Sequence, residues 1–128
     1  MDSSFPWIAV VDDEAPVRRA LTRLLRSADL AAQAFAGGAD FLAALAPGRL
    51  PYCVILDLHM PDMSGFEVQA QLARLAPALP VIVVTGQHSP ETEARARRNP
   101  LLAYLHKPMN DSVLLAAIRS LPQGEHHA

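Results

Sequence analysis

Short runs of β-branched and aliphatic residues recur along the chain, and each is followed by a stretch with helical spacing. The runs are Trp7-Ile8-Ala9-Val10-Val11, Ala31 to Phe35, Tyr52 to Leu56, Val81-Ile82-Val83-Val84 and Leu101 to Leu105. Tyr52 to Leu56 and Val81 to Val84 are apolar without alternation, the pattern of strands covered on both faces. The Ala31 run is the weakest, because alanine is a poor strand former. Between the runs, Pro16 suits the first turn of a helix. Val17, Ala20, Leu21, Leu24, Leu25 and Ala28 then mark one helical face. Asp40 to Ala46 reads as a short helix stopped by Pro47-Gly48. Ser64-Gly65-Phe66-Glu67 matches a capping box that opens a third helix, with Val68, Leu72 and Leu75 as its apolar face. Ser89-Pro90-Glu91 starts a fourth helix and Asn99-Pro100 stops it. Asn110-Asp111 caps a last helix carrying Val113, Leu114, Ala117, Ile118 and Leu121. Strand and helix alternate about five times with short connections. That alternation predicts an α/β domain, a parallel sheet with helices on both faces and right-handed crossovers.

The 128 residues suit one domain, expected over 1–123, with 124–128 a tail or the start of a linker. At 51% hydrophobic residues the chain can fill a core and is too apolar for disorder. No apolar run approaches the roughly 20 residues a membrane span needs. Met1-Asp2-Ser3-Ser4 lacks the positive start of a signal peptide. Cys53 is the single cysteine, sits inside a strand run, and reads as a buried inert thiol. These features predict a cytoplasmic protein. A net charge of −2 argues against nucleic-acid binding by this domain itself.

Several predicted strands end on polar groups: Asp12-Asp13, Asp57, Thr85 and Lys107. A charge at the end of a buried strand costs solvation energy unless it is paired. Asp57 is therefore either a satisfied structural carboxylate or a reactive one. In a parallel sheet the carboxyl ends of the strands share one edge, where ligands sit, so these groups converge. Carboxylates crowded in one cleft repel and call for a cation, and oxygen ligands with an open coordination sphere suit Mg²⁺. An aspartate held against Mg²⁺ and a lysine can act as the nucleophile in phosphoryl transfer.

The pieces Val10-Val11-Asp12-Asp13-Glu14, Leu56 to Gly65 (LDLHMPDMSG), Val84-Thr85-Gly86 and His106-Lys107-Pro108 occur in this order, with Thr85 and Lys107 22 positions apart. From about Ile8 to Leu121 the chain resembles a response-regulator receiver domain of two-component systems, most similar to the NarL/FixJ type. The resemblance implies a (βα)5 flavodoxin-like, CheY-like fold with strand order 2-1-3-4-5. It implies that Asp57 accepts a phosphoryl group from a sensor histidine kinase. Asp13, Asp57 and the backbone carbonyl of His59 would ligate Mg²⁺, with Mn²⁺ as a substitute, and Asp12 would hold a coordinating water. Lys107 would contact the phosphoryl group, Thr85 and Tyr104 would form the switch pair, and Lys107-Pro108 would be a cis peptide. Such a domain is not a conventional enzyme. It controls an effector, commonly in transcription, reaches DNA only through a domain outside this chain, needs no membrane, and admits a phosphorylation-dependent homodimer.

Asn99-Pro100-Leu101 replaces the Ala-Gly-Ala common in the family, and the proline removes an amide donor from the signalling face. His59 and Gln87 lie two residues beyond Asp57 and Thr85, where receivers tune phosphoryl lifetime. His88 and His106 read as rim residues, Arg95, Arg97 and Arg98 as a solvated face, and His126-His127 as plain tail. The alternatives are a stand-alone phosphorelay receiver, an aspartyl-phosphate phosphatase and a phosphorylation-independent interaction module. A phosphatase commonly has a second aspartate two residues after the nucleophile, and His59 stands there instead.

Overall fold

The computed structural model describes residues 6–45 and 49–122. Its elements alternate β1 (Trp7–Val11), α1 (Ala15–Ser27), β2 (Ala31–Phe35), α2 (Gly38–Ala44), β3 (Cys53–Asp57), α3 (Gly65–Leu75), β4 (Val81–Thr85), α4 (Pro90–Ala96), β5 (Ala103–His106) and α5 (Asp111–Arg119). The strands form one parallel sheet in the order β2-β1-β3-β4-β5. This is the doubly wound arrangement the alternation predicts.

Side chains of the inner strands alternate between two cores, because successive residues of a strand face opposite sides. Ala9, Val11, Val54, Leu56 and Val83 join Phe35, Phe41, Val68 and Leu72 on the face covered by α2 and α3. Ile8, Val10, Ile55, Ile82 and Val84 join Leu21, Leu25, Leu114 and Ile118 on the face covered by α1 and α5. Burying a side chain as large as Phe41, which has no exposure, contributes roughly 2–3 kcal/mol. The edge strand β2 lies largely exposed, and its Ala-rich sequence persists as a strand through pairing with β1.

Helix starts follow the sequence chemistry. Ser64 accepts from the Glu67 amide at 3.2 Å while the Glu67 carboxylate accepts from the Ser64 amide at 2.8 Å, so both halves of the capping box form. Ser89 caps α4 by accepting from the Thr92 amide at 3.0 Å, and Asn110 caps α5 by accepting from the Val113 amide at 3.1 Å. Helix α1 ends at Ser27; Asp29, just past its cap, has φ 65°, and the Leu30 amide donates back to the Leu25 carbonyl at 2.9 Å.

Several expected boundaries and faces are corrected. Periodicity puts Leu75 and Val113 on apolar faces, yet they are 57% and 50% exposed. Leu75 is the last residue of α3 and Val113 lies in the first turn of α5, so both sit at helix ends beside the buried Leu72 and Leu114. Helix α2 runs Gly38–Ala44 rather than from Asp40 to Ala46, because its first turn starts at the glycine pair; Ala46, Pro47 and Gly48 lie outside the described residues. Helix α4 ends at Ala96, ahead of Asn99-Pro100, so Arg97 and Arg98 lie beyond it. Strand β5 runs Ala103–His106 rather than from Leu101 to Leu105, following its register with Ile82 to Thr85. The expected tail at 124–128 lies outside the described residues.

Candidate functional site

The site forms at the carboxyl edge of the sheet. Asp57 is the last residue of β3 and Thr85 the last of β4, while Asp12 follows β1 and Lys107 follows β5. Backbone bonds fix these ends. The Asp12 amide donates to the Phe35 carbonyl at 3.1 Å, and the Lys107 amide donates to the Thr85 carbonyl at 2.9 Å. Helix α3 approaches so closely that Gly65 lies against the Asp57 carbonyl and the Leu58 Cα, leaving no room for a Cβ. The Gly65 amide donates to the Leu58 carbonyl at 2.8 Å, which ties the start of α3 to the end of β3. The Lys107-Pro108 peptide is cis.

Asp12, Asp57 and Thr85 are all buried, and Asp13 is exposed beside them. One carboxylate oxygen from each of Asp12, Asp13 and Asp57 lies within 4.8 Å of the others. Lys107 Nζ is 2.8 Å from Asp12 Oδ2 and 3.5 Å from Asp57 Oδ1, with Glu14 at 3.6 Å. The short contact to Asp12 is an ion pair whose angles fall short of a hydrogen bond, so this buried oxygen keeps an unused lone pair. Asp12 Oδ1 accepts from the Glu14 amide at 2.9 Å, and the Asp12 carbonyl accepts from the Arg18 guanidinium at 2.8 Å.

Burial raises the Asp57 carboxyl to about 6, and the neighbouring Asp12 charge adds to the rise. Lys107 and a hydrogen bond from the His59 amide pull the other way. Lys107 itself titrates higher than a free lysine: burial would lower it, and the close pairing with Asp12 together with the charge of Asp57 outweighs that. One lysine thus faces several carboxylates, and the cluster retains excess negative charge. An orphaned buried carboxylate oxygen, a converging oxygen donor set and a charge deficit fit a hard divalent cation.

The other predicted residues divide into two groups. Thr85 Oγ1 accepts from the Gln87 amide at 3.0 Å and lies 3.2 Å from His59 Nδ1, so the His59 side chain as well as its backbone reaches the site. Tyr104, half-buried on β5, contacts His88 Nδ1 through its hydroxyl at 3.1 Å rather than Thr85. Burial, then the Glu93 charge, raises the Tyr104 hydroxyl, against Arg97. His88 stacks on His106 at 4.1 Å, and both are exposed at the rim. Arg95, Arg97 and Arg98 are all exposed, as a solvated face requires, and two of them make surface contacts. Arg95 lies 4.0 Å over the Phe66 ring and Arg97 pairs with Glu93 at 2.9 Å. Sequence spacing missed the His59–Thr85 contact, since the residues are 26 apart on different strand ends.

The family model described as "Response regulator receiver domain" matches residues 8–119. The chain belongs to the response regulator receiver domain family. This receiver is 35% identical over 111 residues to Nodulation protein W of Bradyrhizobium diazoefficiens, covering 87% of the chain and 48% of that protein. It is 34% identical over 111 residues to the Transcriptional regulatory protein FixJ of Rhizobium meliloti, covering 87% of the chain and 54% of that protein. The chain therefore spans about half the length of the curated relatives it matches. The crystal structure of FixJ-N superposes with a TM-score of 0.80 at 33% identity, over 89% of this chain and 90% of that one. Among the described residues, no helix is long and apolar enough to cross a membrane.

Proposed function

We propose that this receiver takes a phosphoryl group onto Asp57 from a phosphohistidine of a sensor kinase, and that the bond rearranges its α4–β5–α5 surface. The observation that carries this reading is the placement of Asp57. It is a buried carboxylate at a strand end, within 3.5 Å of a lysine and grouped with two further aspartates. In the transfer, an Asp57 Oδ attacks phosphorus as the phosphorus–nitrogen bond to the donor breaks, and the bonding pair leaves with the imidazole nitrogen. Asp12, Asp13 and Asp57, with the His59 carbonyl, would hold Mg²⁺, or Mn²⁺ in its place. When bound, the ion would supply positive charge that offsets the negative charge of the phosphoryl group. Lys107 brings its ammonium to 3.5 Å from Asp57 Oδ1 and offsets the charge that Asp57 carries into the reaction.

The added charge and acceptor oxygens then attract the Thr85 hydroxyl. Tyr104 gives up its His88 contact and turns inward, so α4, β5 and α5 present a different surface. That surface controls an effector, in transcription as the name of the FixJ relative indicates, and can support a homodimer. DNA is contacted through an effector domain outside this chain. The protein works in the cytoplasm as a signalling module rather than as an enzyme with turnover on external substrates.

Intact-protein mass after incubation with acetyl phosphate tests this reading. The wild type should gain one phosphoryl group in the presence of Mg²⁺, and neither chelated wild type nor Asp57→Ala should gain one. A gain in Asp57→Ala, or one indifferent to metal, overturns the reading. Steady turnover of phosphate esters would restore the phosphatase alternative.

A further inference from the structure

Thr85 has no exposure, so its hydroxyl must find its partners inside the protein. Among the described residues, Oγ1 bonds the Gln87 amide at 3.0 Å and His59 Nδ1 at 3.2 Å. A hydroxyl has one proton to give. The Gln87 amide can only donate, so if His59 donated as well the buried threonine proton would be left unspent, which is costly. Thr85 therefore donates to His59 Nδ1. Donation to a phosphoryl oxygen on Asp57 would use that same proton. The two bonds exclude each other.

His59 is itself held. Its ring meets Phe66 edge to face, with centroids 6.3 Å apart and planes at 89°. Phe66 lies in the first turn of α3, and the Arg95 guanidinium of α4 stacks 4.0 Å over its ring. Thr85, His59, Phe66 and Arg95 thus form one unbroken series of contacts from the site to α4. Tyr104 takes no part in it, being engaged with His88.

We propose that His59 is a positioning residue that holds Thr85 in the resting conformation, and that its release carries the switch to α4 through Phe66 and Arg95. The proposal rests on the receiver reading above, because it assumes that Thr85 bonds a phosphoryl group. It assigns the His59 side chain a task separate from that of its backbone. Loss of the Thr85 bond frees the imidazole to turn, the Phe66 edge contact changes, and the Arg95 stack follows. Helix α4 then senses the site by a route independent of Tyr104.

Beryllium fluoride with Mg²⁺, a phosphoryl mimic, provides the test, with affinity read by titration calorimetry. His59→Phe keeps a ring against Phe66 but cannot accept from Thr85. It should bind beryllium fluoride roughly threefold to tenfold more tightly than wild type, the worth of one net hydrogen bond. His59→Asn places an amide near the position of Nδ1 and should stay close to wild type. In a Thr85→Val background, His59→Phe should change nothing. If His59→Phe does not fold by circular dichroism, His59→Leu replaces it with the same expectation. The Arg95 Nε resonance should move on binding in the wild type and hold still in Phe66→Leu. Equal or weaker binding by His59→Phe, or the same gain without the threonine hydroxyl, overturns the latch alone. Failure of the wild type to bind overturns the receiver reading and the latch with it.

Discussion

Lys107 Nζ sits between Asp12 Oδ2 at 2.8 Å and Asp57 Oδ1 at 3.5 Å, and is the cation that makes this buried carboxylate cluster tolerable. Removing one partner of a buried pair leaves the other charge uncompensated. Lys107→Ala should therefore cost about 2–4 kcal/mol of stability at neutral pH without metal. Millimolar Mg²⁺ should restore part of it, since the ion replaces the missing charge. Thermal melts with and without chelator check this; a variant as stable as wild type in chelator would contradict it.

Asp57 gives the opposite sign. Burial and Asp12 raise its carboxyl from 3.8 to about 6 in the folded protein. The folded state therefore holds that proton more tightly than the unfolded chain, and stability falls as pH rises through this interval. Above it the charged Asp57 is a standing cost. Asp57→Asn should stabilise the metal-free protein at pH 7.5 by on the order of 1–3 kcal/mol, a gain that disappears once the pH drops below the unfolded carboxyl's value. Denaturant titrations across pH give the result, and a destabilised Asp57→Asn at pH 7.5 would contradict the assignment.

Gly65 is required by proximity. A Cβ there would overlap the Asp57 carbonyl oxygen and lie 2.7 Å from the Leu58 Cα, both backbone atoms that cannot swing aside. Gly65→Ala should cost about 1–3 kcal/mol, as overpacking does. It should also slow phosphorylation by shifting the end of β3. Stability and acetyl-phosphate labelling rate, measured on one preparation, should fall together.

Asp29 carries a left-handed φ of 65° at the end of α1. A residue with a Cβ is strained there, and glycine is not. Asp29→Gly should raise stability by roughly 0.5–1 kcal/mol without affecting phosphorylation. A lowered melting temperature would show that the aspartate side chain holds the turn.

Cys53 is buried in β3 and its thiol is pushed up to about 12 by that burial. Thiolate is the reactive form. A maleimide at pH 8 should leave the folded protein unlabelled and label it fully in denaturant. Rapid labelling of the native state would contradict the packing of β3.

Much of this was legible in the sequence because the deciding signals are local. The Val81 to Val84 run, the Ser64/Glu67 capping box and the polar residues ending β1, β3 and β4 each declare themselves within a few residues. The carboxylate cluster followed from one topological step, that parallel strands share an edge. What escaped was what depends on how far one element reaches toward another. Periodicity assigns Leu75 and Val113 to core faces, but it does not register that they lie at helix ends, where the side chains stay exposed. His59 meets Thr85 across the β3–β4 boundary, and Arg95 meets Phe66 across two helices. Neither contact has a spacing signature. Asn99-Pro100 is a strong local stop for α4, yet the helix stops earlier, at Ala96.

The central claim is that Asp57, among three grouped aspartates, carries the phosphoryl group. Borohydride reduces an acyl phosphate to the corresponding alcohol, so an aspartyl phosphate becomes homoserine. Protein treated with acetyl phosphate and Mg²⁺, reduced in this way, digested and sequenced by tandem mass spectrometry should contain homoserine at position 57 and aspartate at 12 and 13. Homoserine at either of those positions, or at none of the three, would contradict the account.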